Sequence, residues 1–406
     1  MTTLAHHTLI IPTYNRPEFL HQLVQFYRRE APHMPLLVLD SSAPENAQRN
    51  RDAMARFGAG VTYHHYAATI PMAEKLALGL AEVTTPTVSF CADDDIVFPR
   101  ALEQSVDYLS HAHDVVCSHG LYISFSLFTD QIYIEKEYAG ESNEAAHAGA
   151  RIFRLGQHYE SLFYAVFRTP QLRQIFDVVR TLPSLHFQEL FQSVGALMLG
   201  KVHRFPDLYA ARRSGPEAEP GREKWQTYYW FANDATDMLQ HYVAYRHHAF
   251  DFYQRVKAPE LSSADFARAF DLAHAIYFSR GCPPAYFHDQ LQALWPEDRF
   301  LKAPADLFER LHAAQPSLLT PTVRAWLAQA QKLFANLPKW PLIKQWRTRP
   351  LDRFNATLMA AHQSGQHALP WRCHLPVHLL WLGAWQPFHA NARTLCRYLD
   401  CASPKA

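Results

Sequence analysis

Thr87-Val88-Ser89-Phe90-Cys91-Ala92-Asp93-Asp94-Asp95 runs from an apolar stretch straight into three carboxylates. Pro86 and Pro99 bound the segment. A short apolar run between such breakers predicts a buried strand. Three carboxylates at the end of a buried strand repel one another and lose hydration, so something positive must compensate. A hard divalent cation such as Mg²⁺ or Mn²⁺ suits them, because it takes carboxylate oxygens and bridges to phosphate. In open α/β sheets, ligands sit beyond the carboxyl ends of the strands, where this cluster falls. The competing reading is a solvated acidic turn or an acidic helix start.

Upstream, the chain alternates. His7-Thr8-Leu9-Ile10-Ile11 reads as a strand and Pro12-Thr13-Tyr14-Asn15 as a turn. Pro17 suits the first position of a helix whose apolar face is Leu20, Leu23, Val24 and Tyr27. Leu36–Leu39 is a second strand, ended by Asp40-Ser41-Ser42-Ala43-Pro44. A helix over 45–57 is stopped by Gly58 and Gly60, and Val61–His64 is a third strand. Ala73, Leu76, Ala77 and Leu80 mark a further helix, as do Leu102, Val106 and Leu109. Asp114–Ser118 is another strand. This alternation predicts an α/β fold with a mostly parallel sheet and helices on both faces. No strand is followed by a GxGxxG or GxxxxGK[ST] loop, which argues against a dinucleotide fold or P-loop.

From about residue 120 to 215 the pattern changes. Gln131–Glu135, Leu162–Phe167 and Gly200–Phe205 are strand candidates, Gly140–Gly149 reads as a loop, and Phe187–Leu199 as a helix. Ser214–Gly221 has the composition of a linker. Beyond it, Trp225–Val256 and Ala264–Ser279 show helical spacing, and 222–406 reads as a mainly helical second domain after a first domain of 1–215.

With 39 Lys and Arg against 38 Asp and Glu, the net charge is +1, and nothing draws the chain generally toward nucleic acid. The six cysteines form no CxxC pair, which fits a reduced interior. The N-terminus lacks the order of a signal peptide, and no apolar run approaches the roughly 18 residues that cross a bilayer. The expectation is a cytoplasmic protein. His374 and His378 flank Pro376, so no helical zinc site is expected there. Residues 337–349 mix aromatic and basic side chains; they could touch an anionic membrane surface peripherally or pack between domains.

The N-terminal half resembles the family 2 glycosyltransferases of the GT-A fold. The resemblance is carried by Thr8-Leu9-Ile10-Ile11-Pro12-Thr13-Tyr14-Asn15-Arg16-Pro17, by Leu37-Val38-Leu39-Asp40-Ser41-Ser42 and by Ser89-Phe90-Cys91-Ala92-Asp93-Asp94-Asp95-Ile96-Val97-Phe98-Pro99, and it covers about residues 6–215. It implies a nucleotide-diphosphate sugar as donor, a glycan or lipid-linked acceptor and a divalent metal cofactor, Mn²⁺ or Mg²⁺. It places Pro12, Thr13, Tyr14 and Asn15 at the nucleotide pocket, Asp40 at the base, and Asp93 at the ribose or diphosphate. It places Asp94 at the metal with Asp95 assisting, and Lys75 near the nucleotide. Two departures stand out: Ser41 replaces a usual carboxylate, and Ala92 occupies the position that often carries the first aspartate of the DxD motif.

Sugar transfer also needs a base for the acceptor hydroxyl. In this family the base follows the metal motif by roughly a hundred residues. Glu189 follows Asp94 by 95 residues and is the only acidic residue between Asp177 and Asp207, which makes it the expected base. His186 is the alternative. Arg212 and Arg213 stand where the family places a cation that reaches back to the diphosphate; the alternative is a basic linker flank. His203 could approach the metal or be structural. The implied reaction is an inverting, metal-dependent glycosyl transfer in polysaccharide or glycoconjugate synthesis. Its rivals are a non-catalytic nucleotide-sugar-binding scaffold and a nucleotidyltransferase.

Overall fold

A computed structural model of the protein describes residues 3–128, 131–138, 141–213, 235–256, 262–278, 394 and 397–398. Strands β1 (His7–Thr13), β2 (Leu36–Asp40), β3 (Val61–His65) and β4 (Thr87–Phe90) lie in the order β3-β2-β1-β4, all parallel. Helices α1 (Pro17–Glu30), α2 (Pro44–Arg56), α3 (Met72–Glu82) and α4 (Pro99–His111) make the connections. Proline opens α1, α2 and α4, where its missing N–H costs nothing and its φ is already helical. Every residue of β1 and β2 is buried, as expected of parallel strands covered on both faces. Successive side chains point to opposite faces. Ile10, Leu37, Val88 and Phe90 enter one core, while Leu9, Ile11, Leu36 and Val38 enter the other.

Beyond β4 the sheet changes character. The two-residue β5 (Ile96–Val97) comes next in the chain, followed by β6 (Val115–Phe128), β7 (Gln131–Tyr138), β8 (Val166–Arg168) and β9 (Lys201–Arg213). β8 joins β4 antiparallel, β6 runs antiparallel to β8 and β7, and β9 lies parallel to β6. β5 pairs antiparallel with the end of β9. The sheet is thus parallel in its first half and mixed in its second. The 162–167 strand candidate shrinks to β8, because Ala165 N–H turns back onto Leu162 O at 3.1 Å. Conversely, the Gly200–Phe205 candidate extends to Arg213. A proline removes a ladder donor, and β9 accommodates Pro206 beside register shifts in its pairing with β6.

Of the expected loop at 140–149, residues 141–149 are described. Asn143 bridges to Val202, and α5 (Ala148–Gln157) begins at Ala148. Buried Arg151 satisfies the carbonyls of Ala145, Ala146 and Leu197. Helices α6 (Thr169–Val179) and α7 (Leu185–Leu199) pack over the sheet.

Helices α8 (Ala235–Val256) and α9 (Ser263–Phe278) support the helical reading of the C-terminal half. Tyr242, Tyr245, Phe252, Phe266 and Phe270 belong to the same apolar core as Val88 and Phe90. The buried Arg246–Asp271 pair, 2.7 Å apart, and the Tyr245–His274 bond at 2.9 Å tie α8 to α9. The linker 214–221, the segment 337–349, His374 and His378, and Cys282, Cys373, Cys396 and Cys401 lie outside the described residues. Cys91 and Cys117 are buried free thiols, and no described helix is long and apolar enough to cross a membrane.

Gly156 shows how closely α9 is seated. A Cβ at that position would overlap the backbone carbonyl of Ala273. Gly156→Ala is expected to destabilise the protein by about 1–3 kcal/mol, the cost of overpacking a filled contact, as read from urea unfolding. An unchanged midpoint would mean that α9 does not sit against α5.

Candidate active site

The three aspartates occupy the tight turn between β4 and β5. Asp95 N–H donates to Ala92 O at 3.2 Å, which closes it. Tyr27 of α1 holds its far side: the hydroxyl donates to Val97 O at 2.8 Å and accepts from Val97 N–H at 3.0 Å. Asp93, Asp94 and Asp95 are 0, 5 and 4 % exposed.

Each carboxylate has its own partners. Thr13 Oγ1 donates to Asp93 Oδ2 at 2.6 Å, and Arg16 Nη2 stands 2.7 Å from Asp93 Oδ1. Arg16 Nη1 reaches Asp94 Oδ2 at 2.6 Å. Both oxygens of Asp95 are engaged. Arg213 N–H donates to Oδ1 at 2.6 Å, Tyr164 OH donates to Oδ2, and Arg212 Nε lies 3.9 Å away. Burial raises Asp93 to about 6, against the pull of Arg16 and Thr13. Burial, with Asp94 beside it, raises Asp95 to about 7 against Arg212 and Tyr164. The compensating positive charge that the sequence demanded comes in part from Arg16.

The β1 turn is built onto the β2 turn. Asn15 adopts φ 55°, a left-handed conformation that asparagine tolerates better than most residues. Its N–H donates to Ser42 Oγ and its Oδ1 accepts from Ala43 N–H, both at 2.8 Å. Pro12 is buried in β1, while Tyr14 is 51 % exposed at the turn's tip.

Two of the expected nucleotide contacts are buried and bonded within the protein. Asp40 is fully buried and accepts from Ser42 N–H at 2.7 Å, Asn50 Nδ2 at 2.8 Å and Tyr63 OH at 2.7 Å. Burial opposes its charge, but these bonds outweigh burial and hold the carboxyl below its ordinary value. Lys75 is 1 % exposed, and its ammonium donates to Thr13 O at 3.1 Å and Ser41 Oγ at 2.8 Å. It ties α3 to the ends of β1 and β2 rather than standing open to a phosphate.

Burial lowers Lys75 to about 8, against the attraction of Asp40 and Asp93. Its folded value lies below its unfolded one, so the cost of burying the charge is full below pH 8 and fades as pH rises toward 10.5. The stability gap between the protein and Lys75→Met should therefore shift by about 2 kcal/mol in favour of the lysine between pH 7.5 and 9.5, in urea unfolding at each pH. A pH-independent gap would show that the ammonium is solvated.

Beside the turn lies a cleft of ≈ 290 Å³. Glu189, Gln188 and Gln192 of α7, Arg212 of β9, and Tyr164 line it, over an apolar floor that includes Met72, Leu76 and Phe163. Glu189 is exposed at its wall, in the second turn of α7. Tyr164 and Arg212 face this cleft and also reach Asp95, so they join Glu189's cleft to the aspartate turn. Arg213 turns elsewhere, its guanidinium 4.8 Å from the Phe19 ring and 5.5 Å from Phe125. His203 stacks on Tyr108 at 3.9 Å and meets Glu144 at 2.8 Å, which is a structural role.

Sequence reading passed over Arg16, Tyr164 and Tyr27. Arg16 stands inside the quoted Thr8–Pro17 segment, yet only the fold reveals that it spans two aspartates 77 and 78 positions away. Tyr27 reads as one more apolar residue on a helical stripe.

Residues 8–176 match the family described as Glycosyl transferase family 2. That part of the chain is a family 2 glycosyltransferase domain. Solved structures with a similar course include S. aureus TarS 1–349, at 13 % identity over 68 % of this chain and 72 % of that one, with a TM-score of 0.46. The same fragment in complex with UDP-GlcNAc gives 11 % identity over 76 % and 81 %, with a TM-score of 0.46. The mannosyltransferase PcManGT from Pyrobaculum calidifontis, in complex with GDP-Man and Mn²⁺, gives 15 % over 84 % and 83 %, with a TM-score of 0.38. No curated protein sequence matches the chain. The match ends in α6, so Glu189, Arg212 and Arg213 lie beyond the matched residues.

Proposed function

We propose that the domain moves a sugar from a nucleotide-diphosphate donor, seated over the Asp93–Asp95 turn, to an acceptor hydroxyl in the cleft beside Glu189. The observation that carries this reading is the cleft itself. Glu189 and Arg212 line it together, and Tyr164 joins it to Asp95. A base and a cation for a leaving diphosphate thus stand at one cavity.

Thr13, Arg16 and Asp93 form the bonded floor of the donor pocket, with Tyr14 exposed at its rim for stacking. Arg16 and Arg212 offer guanidinium groups to the diphosphate, whose charge grows as the glycosidic bond breaks. Glu189 takes the proton of the attacking hydroxyl. A base in the acceptor cleft suits a single inverting displacement.

A divalent metal is consistent with these residues. Among the described residues no three His, Cys, Asp or Glu side chains converge on one point. Mg²⁺-type ions, however, commonly take one or two carboxylates and complete their shell with substrate phosphates and water. Asp94, with one oxygen outside Arg16's grip, would hold such an ion; Asp95 has both oxygens committed to the protein and acts as an anchor for the turn. When bound, the ion would supply Lewis-acid stabilisation of the leaving diphosphate. A glycan or lipid-linked acceptor, work in polysaccharide or glycoconjugate assembly, a cytoplasmic location and a division near residues 215–222 complete the reading.

The test is to incubate the protein with a panel of nucleotide sugars and identify what is released. Nucleoside diphosphate, from transfer or slow hydrolysis, is the expected product. Nucleoside triphosphate and sugar 1-phosphate, formed only when pyrophosphate is added, would indicate nucleotidyl transfer, and binding without turnover would indicate a scaffold.

A further inference from the structure

Tyr398 lies against the aspartate turn, more than 300 positions away in sequence, and Arg397 lies against the end of α1. Tyr398 is 0 % exposed and its ring meets Phe26 of α1 edge-on, with centroids 5.6 Å apart. Its hydroxyl donates to the backbone carbonyl of Asp94 at 3.4 Å, and its own carbonyl accepts from buried Gln22 Nε2 at 3.0 Å. Arg397 grips both oxygens of Glu30, at 2.9 and 2.8 Å, and its carbonyl accepts from Arg29 Nη2 at 3.1 Å. Four side chains of α1, namely Gln22, Phe26, Arg29 and Glu30, thus receive this segment. The result is specific docking through ring, amide and ion pair.

The aspartate turn is held from one side by Tyr27 at Val97 and from another by Thr13 and Arg16 at the Asp93 and Asp94 side chains. Tyr398 reaches the carbonyl of the Asp94 peptide, whose N–H, that of Asp95, closes the turn on Ala92 O. Moving that peptide moves the Asp94 carboxylate, and donor sites lose affinity when such groups are held loosely. We propose that Arg397 and Tyr398 are positioning residues of the donor site, with the ion pair to Glu30 docking the segment and the Tyr398 hydroxyl holding the Asp94 peptide. This rests on the donor reading above for its functional consequence, but not for its structural one.

Two readouts separate the two. Hydrogen exchange is followed in full-length protein on peptides covering 91–98, with peptides from β1–β3 and α8 as controls. Nucleoside diphosphate affinity is measured by calorimetry in the presence of Mn²⁺. Tyr398→Phe keeps the ring and removes only the hydroxyl; it is expected to speed exchange in 91–98 while the controls stay unchanged, and to weaken nucleotide binding by roughly 2–10-fold, the range for one lost hydrogen bond. Glu30→Arg should give the same local signature, and adding Arg397→Glu should reverse it.

Exchange in 91–98 that stays at the wild-type rate in Tyr398→Phe, or a rise spread equally over all peptides, overturns the proposal. So does a charge swap that restores nothing. If the unaltered protein binds no nucleotide, the donor reading falls, and the exchange pattern still decides whether the C-terminal segment positions the turn.

Discussion

Glu189→Gln is expected to lower the rate of sugar transfer by about 10²–10⁴-fold, the usual contribution of a positioned general base. Glutamine keeps the size of the side chain and cannot take a proton. Glu189 is exposed at the cleft wall, so the substitution leaves the packing of α7 alone, and folding should be unaffected. Nucleotide affinity should also hold, because Tyr164 and Arg212, which join the cleft to the aspartate turn, are unaltered. Initial rates at saturating donor and calorimetric titration of the nucleotide separate these quantities. Full activity in the variant would remove Glu189 from the mechanism and turn attention to other groups of the cleft.

Asp94→Ala should be at least as damaging, but to a different quantity. Several kcal/mol of charge stabilisation depend on the carboxylate that would hold the cation, so transfer should fall about 10³-fold, with metal-dependent nucleotide binding lost. The fold should survive: Arg16 still pairs with Asp93, and one of three crowded like charges is gone. Asp95→Ala offers the contrast. It would leave Tyr164 OH and the Arg213 N–H without their buried acceptor, and its main effect should be on stability.

The same turn imposes a pH dependence with two opposite signs. The folded values of Asp93, about 6, and Asp95, about 7, lie above the ordinary carboxylate value. The cost of burying these charges is therefore present in full above pH 7 and is relieved as pH falls through 7 and then 6. The ligand-free protein should gain stability from these two groups on mild acidification. Cation and donor binding, which need the charged forms, should weaken between pH 8 and 6. Parallel changes in both would contradict this.

The first half of the sheet was legible because period and punctuation agree there. Leu9, Ile10 and Ile11 alternate between two cores, prolines open three of the helices, and Gly58 and Gly60 adopt φ of +67° and +100° where α2 ends. The second half was less legible because its strands depend on distant partners. β5 is two residues long and exists through its pairing with Ala210 and Ala211 of β9. β9 passes through Pro206, a residue that ordinarily argues against a strand.

The candidate site divides similarly. Thr13 and Asp93 through Asp95 cluster at adjacent strand ends, and local sequence could place them. Asp40 and Lys75 also come to those ends, but their burial was not legible. It depends on Tyr63 and Asn50 in one case and on the Thr13 carbonyl in the other. Arg16 bridging Asp93 and Asp94, and Tyr164 bridging the turn to the cleft, are tertiary facts with no local signature.

The most direct test is a thermal-shift titration of the protein with nucleoside diphosphates and nucleotide sugars, with and without Mn²⁺, alongside Asp94→Ala. A donor site at the aspartate turn predicts stabilisation by one nucleotide class, dependent on the metal and lost in the variant; a ligand at 100 times its Kd contributes about 2.7 kcal/mol. A folded protein that no nucleotide stabilises, or one stabilised equally in Asp94→Ala, would contradict a donor site there.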